Sequence, residues 1–168
     1  EGAGGAPADD EEKKEEGDDT ARQQAEDLST LLEDSNNSRD AVISAVEDVR
    51  SCSRLAAAAR DLRSAADQRE RLVERLGELD LDQLPDGDSL AEAWEASAEA
   101  DDRYADWADD AREDRREVCR RGQARHTDSA TEGDQASGTA TQAKENAADL
   151  WNPIAREYGL PERTASQL

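Results

Sequence analysis

The sequence predicts an all-α fold, an antiparallel up-down-up-down four-helix bundle carried behind a disordered N-terminal tail. The composition indicates helices, because Ala, Leu, Arg and Glu are abundant helix formers while Phe and Met are absent. Apolar residues recur at spacings of three and four in four successive series, as on helices that bury one face. Short polar connections join the series, which favours antiparallel neighbours.

The first 19 residues are expected to form a disordered acidic linker, ahead of a bundle domain at residues 20–168. Gly, Ala, Pro and charged residues fill this stretch, a composition typical of a spacer between an anchor and a domain. The chain starts with Glu1 and not with Met. We therefore expect either that a targeting or membrane segment has been removed or that the sequence is an excised piece.

The folded part is expected to be acidic in its own right. Residues 1–20 hold nine acids and two lysines, so they account for −7 of the formal net charge of −22 and leave −15 on the remainder. A field of this sign repels phosphate backbones, so we expect no nucleic-acid partner. Solubility or salt tolerance explains the acidity, with cation binding as the alternative. No apolar run exceeds Leu55–Ala59, so these residues should not insert into a membrane.

A first helix is expected from about Thr20 to Arg50. Its stripe keeps one phase through the polar stretch 35–38, where a loop would have broken the register, so we favour one continuous helix. The alternative is two helices, the second of them capped at Asn37 or Ser38. The members of the stripe are Ala25, Leu28, Leu32, Ser35, Arg39, Val42, Val46 and Val49.

The second helix is expected after a corner at residues 51–53, with Ser53 as its N-cap. The corner explains why the second stripe is out of phase with the first. The members of the second stripe are Leu55, Ala59, Leu62, Ala66, Arg69, Val73, Leu76 and Leu79.

A turn over residues 80–88, which contains Pro85-Asp86-Gly87, leads into the third helix. We expect Asp88 or Ser89 to cap this helix, and we expect it to end near Gly122. The polar Asp101 is the weakest member of its stripe. The stripe runs through Leu90, Trp94 (or Ala93), Ser97, Asp101, Tyr104, Trp107 (or Ala108) and Ala111.

The fourth helix is expected to stop at Gly159, with Pro161 just beyond it. Small residues line its first half, which should therefore approach its neighbours closely, and Pro153 should kink the second half. The Trp and Tyr side chains on these stripes are expected in the core and not as a ligand platform. The stripe is Ala130, Gly133, Ser137, Ala140, Lys144, Ala147, Trp151, Ile154 and Tyr158.

Cys52 and Cys119 are expected to form a disulfide. In the predicted topology the ends of the first and third helices lie at the same end of the bundle, so the two thiols can meet. Closing a loop of 67 residues (119 minus 52) stabilises the fold by roughly 4 kcal/mol on the chain-entropy model. Two cysteines in an otherwise cysteine-free chain fit an oxidising compartment, and two unrelated reduced thiols are the alternative.

The sequence carries no signature of an enzyme, a cofactor or a metal site, and we expect none of the three. The one histidine, His126, lies in a polar Arg-rich turn where no triad can be assembled around it. A dimetal carboxylate bundle needs Glu-x-x-His pairs on two helices, and the sequence has none. The acids around the turn at 80–88 do not fit a calcium loop, because Leu84 and Ala93 fall at ligand positions.

Residues 112–125 form the only locally positive stretch of the chain and are the candidate partner-binding segment. The structural explanation is that cations near a helix C-terminus complement its macrodipole and pair with acids of a neighbouring helix. The functional alternative is a docking patch for an anionic partner or wall polymer. The arginines of this segment are Arg112, Arg115, Arg116, Arg120, Arg121 and Arg125.

The seam between the helices contains more polar groups than a bundle of this size ordinarily buries, namely Ser35, Ser38, Arg39, Arg69 and Lys144. Buried cations need partners. We favour an internal network that specifies the register, in which Arg39 or Arg69 pairs with acids or with amides such as Asn36 and Gln68. A ligand pocket built around the same groups is the alternative.

Several short motifs resemble a family of actinobacterial membrane-anchored proteins of unknown function, over most of residues 22–168. They are Ser38-Arg39, Cys52, Gln68-Arg69, Ala93-Trp94, Tyr104 with Trp107, Cys119, Leu150-Trp151-Asn152 and Tyr158-Gly159-Leu160. The resemblance implies a short cytoplasmic start, one membrane helix, a low-complexity spacer and an exported acidic helical domain. It implies a location at the cell surface and no particular activity.

These observations together predict a non-enzymatic extracytoplasmic helical domain that binds a protein or a cell-envelope component. A membrane-active or toxin-like protein is one alternative, and it would require an apolar hairpin that can insert. A hydrolase that uses acidic residues is another, and it would require a deep pocket with clustered acids of raised pKa.

Overall fold

The computed structural model describes residues 6–85 and 88–168, with side chains from residue 17 onward. The helices are α1 (Ala6–Ser35), α2 (Arg39–Arg50), α3 (Leu55–Glu78), α4 (Asp88–Glu113), α5 (Arg115–Val118) and α6 (Asp128–Tyr158). Two strands, β1 (Cys119–Arg120) and β2 (Gln123–Ala124), form a small antiparallel hairpin. Turns of 3-10 helix lie at Asn36–Ser38 and Ala165–Gln167. The predicted all-α class is confirmed.

Helix α1 begins at Ala6, well ahead of the expected start near Thr20. Ala, Glu and Lys, which are good helix formers, supply eight of the 14 residues in these additional turns. The first buried side chain described in α1 is Ala21, so the packing of the bundle starts where the sequence predicts it. The disordered linker at residues 1–19 stays a prediction, and residues 1–5 lie outside the described residues.

The helix from α1 to α2 is interrupted by the 3-10 turn at Asn36–Ser38. The prediction of an unbroken helix is therefore wrong at this turn. The alternative of two helices is confirmed with Ser38 at the N-cap position of α2, but its side chain makes no capping hydrogen bond and the backbone stays right-handed. The Ser35 hydroxyl donates to the Leu32 carbonyl at 2.6 Å, a local bond of the kind that competes with the helical ladder.

Four helical segments run up, down, up and down: α1 with α2, then α3, α4 and α6. Helix α4 is central, since it packs extensively against both α3 and α6. Helix α2 packs mainly against α3, while α1 touches α3 and α6 more sparsely. The structure thus agrees in outline with the predicted four-helix bundle.

Two corners are built differently from the prediction. Helix α3 starts behind Arg54, a left-handed residue (φ 45°) without a side-chain cap, and the Ser53 hydroxyl donates to the Ser51 carbonyl at 3.3 Å. Ser53 is therefore not the N-cap. The third helix ends at Glu113 and not near Gly122, because the Asp114 side chain accepts from the Glu117 amide and starts the short α5.

The β1–β2 hairpin turns through Arg121 and Gly122, both at positive φ (56° and 74°). Two central residues at positive φ are what a tight hairpin turn of this hand requires, and glycine meets that demand without strain. The predicted end of the fourth helix is confirmed, since Gly159 ends α6 in the left-handed conformation (φ 67°). Helix α4 begins at Asp88, but Asp86 and Gly87 of the predicted turn lie outside the described residues.

Two apolar clusters form the core. One surrounds Trp94 and Trp151, and the other surrounds Trp107 near the hairpin. These three indoles are 0, 3 and 1% exposed, so their predicted place in the core is confirmed. Between the two clusters the helices present polar side chains, which we call the polar layer: Arg69 of α3, Ser97 and Asp101 of α4, and Lys144 of α6.

The disulfide closes the end of the bundle beyond the Trp107 cluster. Cys52 follows α2 and Cys119 begins β1, and their Cα atoms are 6.1 Å apart in the bridged pair. Arg115 donates to the Cys52 carbonyl at 3.0 Å and holds the same corner. The pairing predicted from the topology is confirmed.

Candidate functional site

A pocket of about 380 Å³ opens in the polar layer between the two apolar clusters, and we call it the seam pocket. Four helices and the C-terminal segment at residues 165–166 supply its walls. Its charged groups are Arg39 of α2, Arg69 of α3, Asp101 of α4 and Lys144 of α6. Three cations therefore face one carboxylate in a chain whose formal net charge is −22.

Arg69 and Asp101 form a buried ion pair at the base of the seam pocket. The two residues are 6 and 3% exposed, and Nε of Arg69 lies 2.8 Å from Oδ2 of Asp101. The contact is close, yet neither atom has a directed hydrogen bond. An ion pair buried in this way recovers less than the full cost of removing both charges from water.

The raised pKa of Asp101 indicates that the attraction of Arg69 does not fully offset the cost of removing the carboxylate from water. Burial raises the pKa to about 6, and the attraction of Arg69, assisted by Lys144, opposes the rise without cancelling it. A carboxyl that keeps a raised pKa beside an arginine sits in a strongly desolvating site. Perturbed groups that line a pocket are typical of binding and catalytic sites.

Lys144 is a cation without a partner in the part of the chain that the structure describes, since it forms no ion pair and no hydrogen bond there. Burial lowers the pKa of its ammonium group to about 8. Arg69 and Arg39 lower it further, while Asp101 acts in the opposite direction. Lys144 therefore adds positive charge to the seam pocket, and none of the described residues forms an ion pair with it.

Arg39 lies at the rim, where Nη1 donates to the Ser166 carbonyl at 2.8 Å. The predicted internal network is thus present only in part. Arg69 does pair with an acid, as expected, but Asn36 and Gln68 are not the partners of these cations. The groups that were expected to satisfy one another instead surround an open volume.

The C-terminal wall of the pocket was not predicted, because residues 160–168 show no helical periodicity. Residues 160–168 fold back along α6, where the Asn152 side chain exchanges two hydrogen bonds with the Arg163 backbone (2.8 and 2.9 Å). The Trp151 indole donates to the Pro161 carbonyl at 3.0 Å. These contacts carry Ala165 and Ser166 across to α2.

The arginines of the segment at 112–125 are spread over several elements, and their role in binding a partner stays a prediction. All six are exposed and lie on α4, α5, the hairpin and the residue after it. Arg112 pairs with Asp109 at 3.4 Å, and Arg120 and Arg125 pair with Glu117 at 3.4 and 3.9 Å. Arg112 lies in the last turn of α4, and Arg115 and Arg116 lie in the single turn of α5, so the helix-terminus explanation applies to these three. Neighbouring acids thus offset much of the local positive charge.

His126 joins α6 to α4 at the surface. Its Nε2 lies 2.8 Å from one carboxylate oxygen of Asp134, whose other oxygen accepts from the Tyr104 hydroxyl at 2.6 Å. Burial and the bond to Asp134 raise the pKa of Tyr104. The imidazole also packs on Trp107, with ring centroids 5.3 Å apart. This cluster fixes the Tyr104 ring, which forms one wall of the seam pocket.

The described residues include no group of three His, Cys, Asp or Glu side chains that could hold a metal ion. No helix within the described ranges is long and apolar enough to cross a membrane. The chain matches no protein-family model, no curated protein and no solved structure. The resemblance to the actinobacterial family therefore stays a prediction, and the seam pocket is the candidate site on its geometry alone.

Proposed function

We propose that the protein is a non-enzymatic extracytoplasmic binding domain, and that its seam pocket receives the anionic group of a small molecule or of a cell-envelope component. The observation that carries this proposal is the surplus of positive charge in the pocket. Arg39, Arg69 and Lys144 face a single acid, Asp101, and Lys144 has no protein partner among the described residues.

Physical considerations favour a ligand over a purely structural network. A network that only sets the helix register gains nothing from an unpaired lysine, because burying a cation without a partner destabilises the fold. A bound anion would neutralise that cation and would receive hydrogen bonds from the two guanidinium groups. A pocket of about 380 Å³ with apolar walls and a few convergent polar groups is typical of small-molecule sites.

Binding explains the seam pocket better than hydrolysis by acidic residues. A raised pKa at Asp101 is one property that a catalytic acid needs. Hydrolysis by carboxylates, however, uses a pair of them, and Asp101 is the one acid among the residues that line this pocket. The other lining groups are cationic, hydroxylic or apolar.

The experiment is isothermal titration calorimetry with phosphate, benzoate and phenyl phosphate. We expect at least one of these anions to bind, and Lys144→Gln to weaken its binding by about tenfold or more, because a charge-assisted contact is lost. Arg116→Gln is the matched control in the arginine segment and should leave the affinity unchanged. No binding by any anion would contradict the proposal, as would a loss confined to Arg116→Gln.

The extracytoplasmic location has its own support and its own test. The Cys52–Cys119 disulfide fits an oxidising compartment, where such bonds persist. Mass spectrometry of the protein taken from its native source without reductant should find the bridged form. Two free thiols there would contradict the location.

A further inference from the structure

The seam pocket holds a net charge of about +2, and this charge bears on the kind of anion that fits. Arg39, Arg69 and Lys144 contribute three positive charges, and Asp101 contributes one negative charge when it is ionised. A singly charged ligand would leave one positive charge without compensation at a partly buried site. A doubly charged ligand would balance the pocket, and uncompensated charge is costly where water is scarce.

The three cations come from three helices and act on the same volume. All three line the seam pocket, and Arg69 and Arg39 each lie close enough to Lys144 to lower its pKa. Repelling cations around one cavity favour a compact anionic head group that lies between them over a ligand with two distant charges. A phosphate group offers three acceptor oxygens, which suit two guanidinium forks and an ammonium group.

Apolar side chains also line the pocket. Val42 and Ile43 of α2, Ala140 of α6 and the Tyr104 ring are among them, and Ile43 is 50% exposed, the most exposed large apolar side chain described. The pocket volume of about 380 Å³ corresponds to roughly a dozen non-hydrogen atoms if each takes about the 30 Å³ of a liquid water molecule. The ligand therefore has room for an apolar group of ring size next to its charged head.

We infer that the seam pocket selects a compact dianion, a phosphate monoester with a small apolar or aromatic group. This inference rests on the proposed function, since it names the class of anion that the pocket binds. The phosphate lies among Arg39, Arg69 and Lys144, and the apolar group lies against Val42, Ile43 and Tyr104.

The test compares phenyl phosphate with phenyl sulfate by isothermal titration calorimetry at pH 7.5. The two ligands have nearly the same shape, but the phosphate is mostly a dianion at this pH and the sulfate is a monoanion. We expect phenyl phosphate to bind about tenfold or more tightly, because the additional charge interacts with a poorly screened positive site. Equal affinities would overturn the inference and leave the proposed function intact, whereas no binding by either ligand or by benzoate would remove both.

Two further arms show whether the preference arises in the seam pocket. Lys144→Gln should reduce the ratio of the two affinities, while Arg60→Gln, which removes an exposed arginine of α3 outside the pocket, should leave the ratio unchanged. At pH 5 phenyl phosphate becomes a monoanion, so the preference should largely disappear. Protonation of Asp101 over the same range raises both affinities alike, so the ratio is the quantity to follow. A preference that survives both changes would contradict the inference.

Discussion

Lys144 and Asp101 are two titratable residues, and the burial of their charges destabilises the folded protein. Burial lowers the pKa of the lysine to about 8 and raises that of the aspartate to about 6. Both shifts favour the neutral forms of these groups. Natural proteins keep such costs mainly where a function requires them. At the residue scale, therefore, the buried charges of the polar layer destabilise the fold, as is usual for a binding site and not for a stabilising network.

Lys144→Met should make the domain more stable while it weakens anion binding. The fall of the lysine pKa from 10.5 to about 8 corresponds to about 3 kcal/mol, and partial exposure of the side chain reduces the expected gain to about 1 to 2 kcal/mol. Urea denaturation at pH 7 measures the change. Arg60→Met, at an exposed position of the neighbouring helix, should change stability by less than about 0.5 kcal/mol. A loss of stability in Lys144→Met would show that the lysine serves the fold.

Asp101 should make stability depend on pH in a defined window. Its pKa in the folded state, about 6, lies above its ordinary value of 3.8, so the unfolded chain releases this proton more readily. The contribution of Asp101 to the unfolding free energy is therefore fully present below pH 4. It falls by about 3 kcal/mol as the pH rises to 6 and beyond.

Asp101→Asn removes this contribution, and urea denaturation at pH 4, 5, 6 and 7 reveals it. Asparagine is neutral beside Arg69, as the protonated carboxyl is, so the stability of the variant should not depend on this group between pH 4 and 7. The unfolding free energy of the wild type relative to that of the variant should therefore fall as the pH rises from 4 to 6. A difference that stays constant over this range would contradict the raised pKa.

At the element scale, the close approach of α4 and α6 positions two walls of the seam pocket. A Cβ atom built on Gly133 would lie 2.7 Å from two carbon atoms of the Tyr104 ring. That ring is held by its hydroxyl on Asp134, so it cannot swing aside freely. The small residues of α6 therefore set the distance between the helices, in agreement with the pattern of small side chains in the sequence.

Gly133→Ala should destabilise the domain by about 1 to 3 kcal/mol, the usual cost of overpacking a tight contact. Gly138→Ala is the matched control on the same helix, since a Cβ there meets nothing within 4 Å. It should stabilise the protein by about 0.5 to 1 kcal/mol, because alanine favours a helix over glycine. Equal effects of the two substitutions in urea denaturation would show that α4 and α6 are farther apart than described.

Periodicity predicted the helices well and their ends less well. Each stripe reports which side chains face the core over many residues, so Leu62, Trp94 and Trp151 could be assigned to it without a structure. An end depends on one or two local backbone choices. The Asp114 cap and the left-handed Arg54 carry no periodic signal, and both differ from what the sequence suggested.

At the scale of the whole molecule, the polar layer divides the core in two, and this division makes room for the pocket. The sequence marked Arg39, Arg69 and Lys144 as unusual in the seam, and it left a network and a ligand pocket as alternatives. Only the packing of four helices decides whether such groups meet one another or surround a space. Asp101 was noted merely as a weak member of its stripe, and the wall at Ala165 and Ser166 comes from a segment without periodicity.

The disulfide should supply a large share of the stability of a core that is rich in alanine. It links residues 67 positions apart, which corresponds to roughly 4 kcal/mol on the chain-entropy model. Cys52→Ser combined with Cys119→Ser should lower the unfolding free energy by about this amount. Reductant should destabilise the wild type but leave the double variant unchanged. Insensitivity of the wild type to reductant would show that the bridge is absent or contributes nothing.

The most direct test of the central claim is the pKa of Lys144, measured by NMR on protein with ¹³Cε-labelled lysine. Lys144 is the one lysine of the bundle, because the other two are Lys13 and Lys14. Without ligand its signal should titrate near pH 8, and saturating phenyl phosphate should move the midpoint upward, since an adjacent anion favours the ammonium form. A midpoint near 10.5 that does not respond to any anion would contradict the seam pocket as a binding site.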